Sequence, residues 1–181
     1  MIYLNFIKNL FLSFIIIFFI TNYAQAKCNF GIIIGEDISN LKKELARQHK
    51  PGSVLTEIYS PAKEFCPNEN FDEKIYLNFT FIQTELASIR IIARNNKENI
   101  TSNKLLLMNY AKDNYGNFDT GQNPKAFNSF KIWNDGIKFI GYKRMINHLG
   151  IFEEEIFITN NVYKTKIDKV NALKESGKLR K

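Results

Sequence analysis

The run "IYLNFTF" sets the tightest constraint in this sequence. Ile75, Leu77, Phe79 and Phe81 alternate with Tyr76, Asn78 and Thr80. Side chains on a strand point to opposite faces in turn, so this pattern makes a strand with one apolar face. Such a strand belongs in an antiparallel sheet that rests one face on a core. "LASIRIIAR" follows with Ile89 and Ile91, which predicts a second strand after a bend near Gln83–Glu85.

The rest of the chain supplies partners for that pair. "NFGIIIGED" is a short β-branched run between glycines and reads as a strand. Its three isoleucines are continuous, which predicts burial on both faces. "DISNLKKELARQHKPG" reads as a helix capped by Asp37 or Ser39, with Ile38, Leu41 and Leu45 on one face and Pro51-Gly52 as the stop. His49 falls in its last turn, where a cation suits the helix dipole better than it suits a ligand role. Residues 50–73 carry Pro51, Pro61, Pro67 and Cys66 and read as a long loop, either a contact surface or a tolerated insertion.

"TSNKLLLMNYAKDNYG" predicts a second helix. Thr101 or Ser102 caps it, Leu107, Tyr110, Ala111 and Tyr115 share a face, and Gly116 ends it. "GNFDTGQNP" is then a loop, and Asp113, Asn117 and Asp119 with Gly121 lack the alternation and closing glutamate of a calcium loop. "FNSFKIWNDGIKFIGYKRM" predicts a hairpin turning on Asp135-Gly136, with Phe130 and Ile132 before it and Ile137 and Phe139 after. Trp133 is out of phase with that inward set unless a bulge intervenes. It is either a core aromatic or an exposed binding residue. "IFEEEIFITNN" gives a further strand on which Glu153 and Glu155 share a face, read as a charged edge that discourages strand pairing. The closing "YKTKIDKVNALKESGK" puts Ile167, Val170 and Leu173 on one helical stripe. Lys166, Lys169 and Lys174 lie away from that stripe as candidate surface contacts, ahead of a short basic tail.

The first 26 residues read as a cleaved export signal. Lys8 is their only charge, Leu10 to Ile20 is apolar apart from Ser13, and Ala24-Gln25-Ala26 offers the small residues of a cleavage site. The alternative is an uncleaved membrane anchor, but a spanning helix needs about 20 apolar residues. Removal of that segment takes the net charge from +7 to +6, because Lys8 leaves with it. A chain this basic is drawn to anionic lipid or other phosphate-rich surfaces, or is simply kept soluble by its charge. In an exported chain nucleic acid is not the expected partner.

The two cysteines, Cys28 and Cys66, are an even pair in a chain expected to be exported, and a disulfide is the simplest use of them. Lys27 stands where a lipoprotein signal needs a small residue. Structural zinc needs four ligands, and His49 and His148 show no ligand spacing with the cysteines. No metal or cofactor is therefore expected.

Strands in runs, with helices between the runs, predict an α+β domain over residues 27–181. The expectation is an antiparallel sheet of five or six strands with two or three helices packed on one face. The second half echoes the first in its elements, without a residue-level repeat. No nucleophile elbow, P-loop, zincin or dinucleotide fingerprint is present. The expected function is that of a non-catalytic periplasmic or secreted domain binding a protein partner or an anionic envelope surface. The alternatives are the same domain tethered by an uncleaved N-terminal helix, and an envelope hydrolase recruiting two carboxylates from Glu153, Glu155, Asp119 and Asp135.

Overall fold

A computed structural model describes residues 28–71, 74–93, 106–118, 129–146 and 152–178. Residues 1–27, which include the expected export signal, the expected caps Thr101 and Ser102, Asp119, Gly121, His148 and the tail beyond residue 178 lie outside the described residues.

Two three-stranded meanders make one sheet. The first runs β1 (Leu55–Pro61), β2 (Ile75–Ile82) and β3 (Glu85–Ala93). The second runs β4 (Ser129–Asn134), β5 (Phe139–Ile146) and β6 (Phe152–Thr159). The six strands are all antiparallel, in the order β1-β2-β3-β6-β5-β4. Among the described residues three α-helices accompany them: α1 (Lys43–Ala46), α2 (Leu106–Tyr115) and α3 (Asn161–Glu175). The protein is thus α+β, with the antiparallel sheet expected from the alternating runs.

The ladders keep the apolar residues in register. Ile58 lies opposite Phe79, Phe79 opposite Ile89, Ile91 opposite Ile156, and Ile156 opposite Tyr142. All of these are buried, and Phe65, Phe71, Leu107 and Tyr110 cover them. Each such aliphatic or aromatic side chain contributes roughly 1.5–3 kcal/mol on burial. Helix α2 lies over this inner face, with Leu107, Tyr110 and Ala111 buried as their spacing predicts, and Gly116 ends it at φ 106°.

Helix α3 takes the other face. Phe139, opposite Thr159 on the outer side of the ladder, receives Lys164 over its ring at 5.5 Å. Tyr163 Oη donates to Glu85 at the start of β3 at 2.8 Å. The helices therefore divide between the two faces, because the chain leaves β6 at Thr159 on the outer side. Val170 is buried and Ile167 half-buried as the stripe predicts, but Leu173 is exposed and Tyr163 takes its place.

Four local expectations change. "NFGIIIGED" is not a strand: Gly31 (φ 66°) and Gly35 (φ 98°) bend it, and Ile33 is 68% exposed while Ile32 is buried. Only its end meets the sheet, where Gly35 N donates to Leu86 O at 2.8 Å and Leu86 N to Glu36 O at 2.8 Å. The first helix is broken. Asp37 caps a 3₁₀ turn at Ile38–Asn40, and Leu41 is then extended (φ −72°, ψ 156°) and buried before α1 begins. His49 lies beyond the end of α1 rather than in its last turn; its N donates to Ala46 O at 3.1 Å and its Nδ1 lies 2.9 Å from Thr56 Oγ1. Residues 50–73 are not one loop. They contain β1, whose inward positions Thr56, Ile58 and Ser60 are mostly hydroxyl-bearing and so hide the alternation. Pro61 is tolerated because β1 is an edge strand.

Cys28 and Cys66 are bridged, with Cα atoms 4.3 Å apart across 38 residues of sequence. Asn29 N donates to Phe65 O at 2.8 Å beside the bridge, so the start of the described chain is stitched to the end of β1's connection. The bond is compatible with an oxidising compartment. Mass mapping of unreduced peptides should find the two residues joined. Replacing both by serine should lower stability by roughly 4 kcal/mol, the chain-entropy value for a loop of this length. Val170→Asp should cost about 2–4 kcal/mol by denaturant unfolding, since it buries a charge between α3 and β3.

Candidate functional site

Two places on this scaffold concentrate unusual chemistry: the edge hairpin β4–β5, and a buried polar centre on the inner face.

The hairpin reverses the sequence expectation. Phe130 and Ile132 face outward and are 77% and 45% exposed, and Ile137 in the turn is 77% exposed. Trp133 faces the other way. It sits half-buried against Phe118 (5.3 Å between centroids) and Tyr115 (5.8 Å). The inner side won Trp133 because α2 and the residues after it bring two more aromatic rings there. Trp133 is thus a core-side aromatic, with Lys131 Nζ 6.0 Å from its ring.

The turn spans Asp135 to Lys138, longer than the two residues expected. Asp135 Oδ1 accepts from Ile137 N (2.9 Å) and Lys138 N (2.6 Å), and those amides hold its carboxyl below the ordinary aspartate range. Asn161 Nδ2 donates to Gly136 O at 3.2 Å, which ties the turn to the start of α3. Lys138 and Lys143 are exposed beside the apolar side chains, and Lys143 stands opposite Phe130.

The lysines of α3 differ among themselves. Lys169 and Lys174 are exposed. Lys166 is engaged: its Nζ is 3.0 Å from Glu85 Oε2 and 4.3 Å from the Tyr163 ring centroid. The Lys166 ammonium and the Tyr163 hydroxyl together hold the Glu85 carboxyl below its ordinary value. Lys166 is therefore part of the attachment of α3 rather than a free surface charge.

The acid cluster also separates. Strand β6 lies between β3 and β5, so Glu153 to Glu155 do not protect an edge. Glu153 is exposed, and Glu155 grips Arg90 through Nε at 2.9 Å and Nη2 at 2.6 Å. Asp135 is committed to its turn. Neither Glu155 nor Asp135 is a free carboxylate for acid–base work.

Glu154 is the residue that the sequence reading passed over. It is 2% exposed. Tyr142 Oη donates to its Oε1 at 2.8 Å, and Met108 N at the first turn of α2 donates at 3.1 Å. A carboxylate there complements the positive end of the helix dipole. Burial nonetheless pushes its pKa up to about 7, against the downward pull of Tyr142, the Met108 and Leu107 amides and Arg144. Arg144 stands directly opposite Glu154 across β5 and β6 and is 1% exposed, yet among the described residues its Nε and Nη1 have no hydrogen-bond partner. The sequence did carry a signal for both: Glu154 shares its parity with Ile156 and Ile158, and Arg144 with Ile140 and Tyr142.

Comparison with protein-family profiles, with curated proteins and with solved structures gives no match. Among the described residues no helix is long and apolar enough to cross a membrane.

The proton on Glu154 links the site to stability. The folded state holds that proton more tightly than the unfolded chain, whose glutamates titrate near 4.5. The resulting stabilisation is complete below that value and is lost as pH rises through about 7. Denaturant titrations should show stability falling by on the order of 2–3 kcal/mol between mildly acidic and mildly alkaline pH. Glu154→Gln, which keeps the neutral shape, should flatten that dependence. Parallel pH curves for the two proteins would count against the assignment.

Proposed function

We propose that this chain is a small exported, non-catalytic domain that contacts an anionic envelope surface, and that the β4–β5 hairpin makes the contact. The observation that carries the reading is the set Phe130, Ile132 and Ile137, three large apolar side chains left exposed on one hairpin with Lys138 and Lys143 beside them. Apolar side chains that enter a lipid interface, with lysines at the headgroup level, are the pattern of interfacial binding. Each lysine near an anionic surface contributes about 1 kcal/mol, and each buried apolar side chain roughly 1.5–3 kcal/mol. The net charge of +6 that remains without the first 26 residues supports the same sign of partner.

Addition of a protein strand to the β4 edge is less well supported. Lys131 lies at mid-strand, and a lysine on an edge strand opposes pairing with another strand. The bridge between Cys28 and Cys66 suits a periplasmic or secreted location.

Co-sedimentation with phosphatidylglycerol-containing vesicles tests the reading. Binding is expected at low salt, with a loss as salt rises, and with little binding to purely zwitterionic vesicles. Phe130→Ser with Ile137→Ser should weaken partitioning by about tenfold or more, without lowering stability, since both side chains are already in water. No association with anionic vesicles at low salt would overturn the lipid reading and leave a protein as the partner.

A further inference from the structure

We propose that Arg144 anchors an internal binding site for a small oxyanion, a carboxylate or a phosphoryl group, on the inner face of the sheet beside the start of α2. The proposal is independent of the hairpin surface.

A guanidinium carries five N–H donors and keeps its charge at any pH the protein meets. Arg144 is 1% exposed, and among the described residues its Nε and Nη1 donate to nothing. Buried guanidinium donors left unmet are costly, and proteins retain them where something else completes them. Arg90 shows the contrast within the same sheet: it is only half-buried and still meets Glu155 with two hydrogen bonds.

Glu154 is the obvious counter-ion, but its oxygen is used elsewhere. Oε1 accepts from Tyr142 Oη at 2.8 Å and from Met108 N at 3.1 Å, and no hydrogen bond joins it to Arg144 Nε or Nη1. The groups that face Glu154 from the described elements are Tyr142 and Arg144 on β5 and the Leu107 and Met108 amides of α2. Apart from the neutral tyrosine, all of these are positive or carry positive partial charge. When Glu154 carries a proton, the centre holds one uncompensated positive charge next to the positive end of a ten-residue helix. An oxyanion answers both, because the Nε and Nη edge of arginine matches the two oxygens of a carboxylate or phosphoryl group. Glu154 then acts as a gate on affinity: protonated it leaves Arg144 to the ligand, ionised it competes.

The test uses the full chain in a chloride buffer free of oxyanions, with inorganic phosphate and acetate as separate probes and chloride at matched ionic strength as control. Either probe should raise the melting temperature by about 3–6 °C at ten times its dissociation constant, and chloride should not. A response to phosphate alone assigns a phosphoryl ligand, and a response to acetate a carboxylate. Arg144→Met should abolish the response and, in the absence of oxyanion, should be at least as stable as the unmodified chain. Glu154→Gln should tighten binding about tenfold at mildly alkaline pH, where the unmodified glutamate is ionised. Equal shifts in the Arg144→Met protein, or an Arg144→Met protein that is strongly destabilised or fails to fold, would overturn the proposal, because Arg144 would then be satisfied within the fold.

Discussion

The pairing of β3 with β6 is the interaction on which the rest of this structure rests. Each meander can form from local sequence, but a three-stranded meander alone leaves its inner face half uncovered. The β3–β6 ladder joins them by setting Ile89 against Ile158 and Ile91 against Ile156. It closes over a separation of more than sixty residues, so it carries a large share of the loop-closure entropy. Polar contacts reinforce it along the outer face. Arg90 holds Glu155 across the seam with two hydrogen bonds, and Thr159 Oγ1 donates to Ala87 O at 2.6 Å. The bidentate geometry fixes register, since a slip of one residue would send Glu155 to the apolar side.

The seam also decides where the helices go. Helix α2 follows β3 and lies back over β5 and β6, where Glu154 receives its first turn. Helix α3 follows β6 and lies back over β3, where Glu85 receives Tyr163 and Lys166. Each helix thus clamps the meander to which it does not belong, and each uses a glutamate of that meander to do so. The two glutamates differ in environment. Glu85 is half-exposed and stays ionised below its ordinary value, whereas Glu154 is buried and is pushed up to about 7. One clamp is insensitive to pH near neutrality, and the other responds to it.

The sequence made the centre of the sheet legible and hid its margins. Strands β2 and β3 stand out because their inward positions are isoleucine, leucine and phenylalanine, and the stripe of α2 stands out for the same reason. Strand β1 was invisible because Thr56 and Ser60 occupy inward positions that a hydrophobic pattern leaves blank. The isoleucine run at 32–34 misled in the opposite way: its composition favours a strand, but two glycines at positive φ and the nearby disulfide impose a bent path. The hairpin was placed correctly but faced wrongly. Nothing local to Phe130, Ile132 and Trp133 says which side the aromatic rings of α2 will cover. Cys28 and Cys66 were readable because two cysteines allow one pairing. Glu154 and Arg144 were missed because charged residues are counted as outward by default, although their parity with apolar neighbours said otherwise.

The edges of the sheet bear on function in different ways. Strand β1 ends in Pro61, and α1 packs against it, so that edge is stopped and partly covered. Among the described residues strand β4 has neither protection and pairs on one side only, yet it carries Lys131 at its middle and three exposed apolar side chains lie on and beyond it. Lysine opposes addition of another strand, and a net charge of +7 opposes self-association, while neither removes the apolar surface. A sequence shaped only against aggregation would have replaced Phe130 and Ile137 with polar residues, since neither packs in the fold. Their retention beside Lys138 and Lys143 makes sense where the surface they meet is itself apolar below an anionic boundary. In the proposed role Lys138 and Lys143 would orient the hairpin toward that boundary, while Lys131 on β4 opposes pairing with other strands, so the charges divide the two tasks between them.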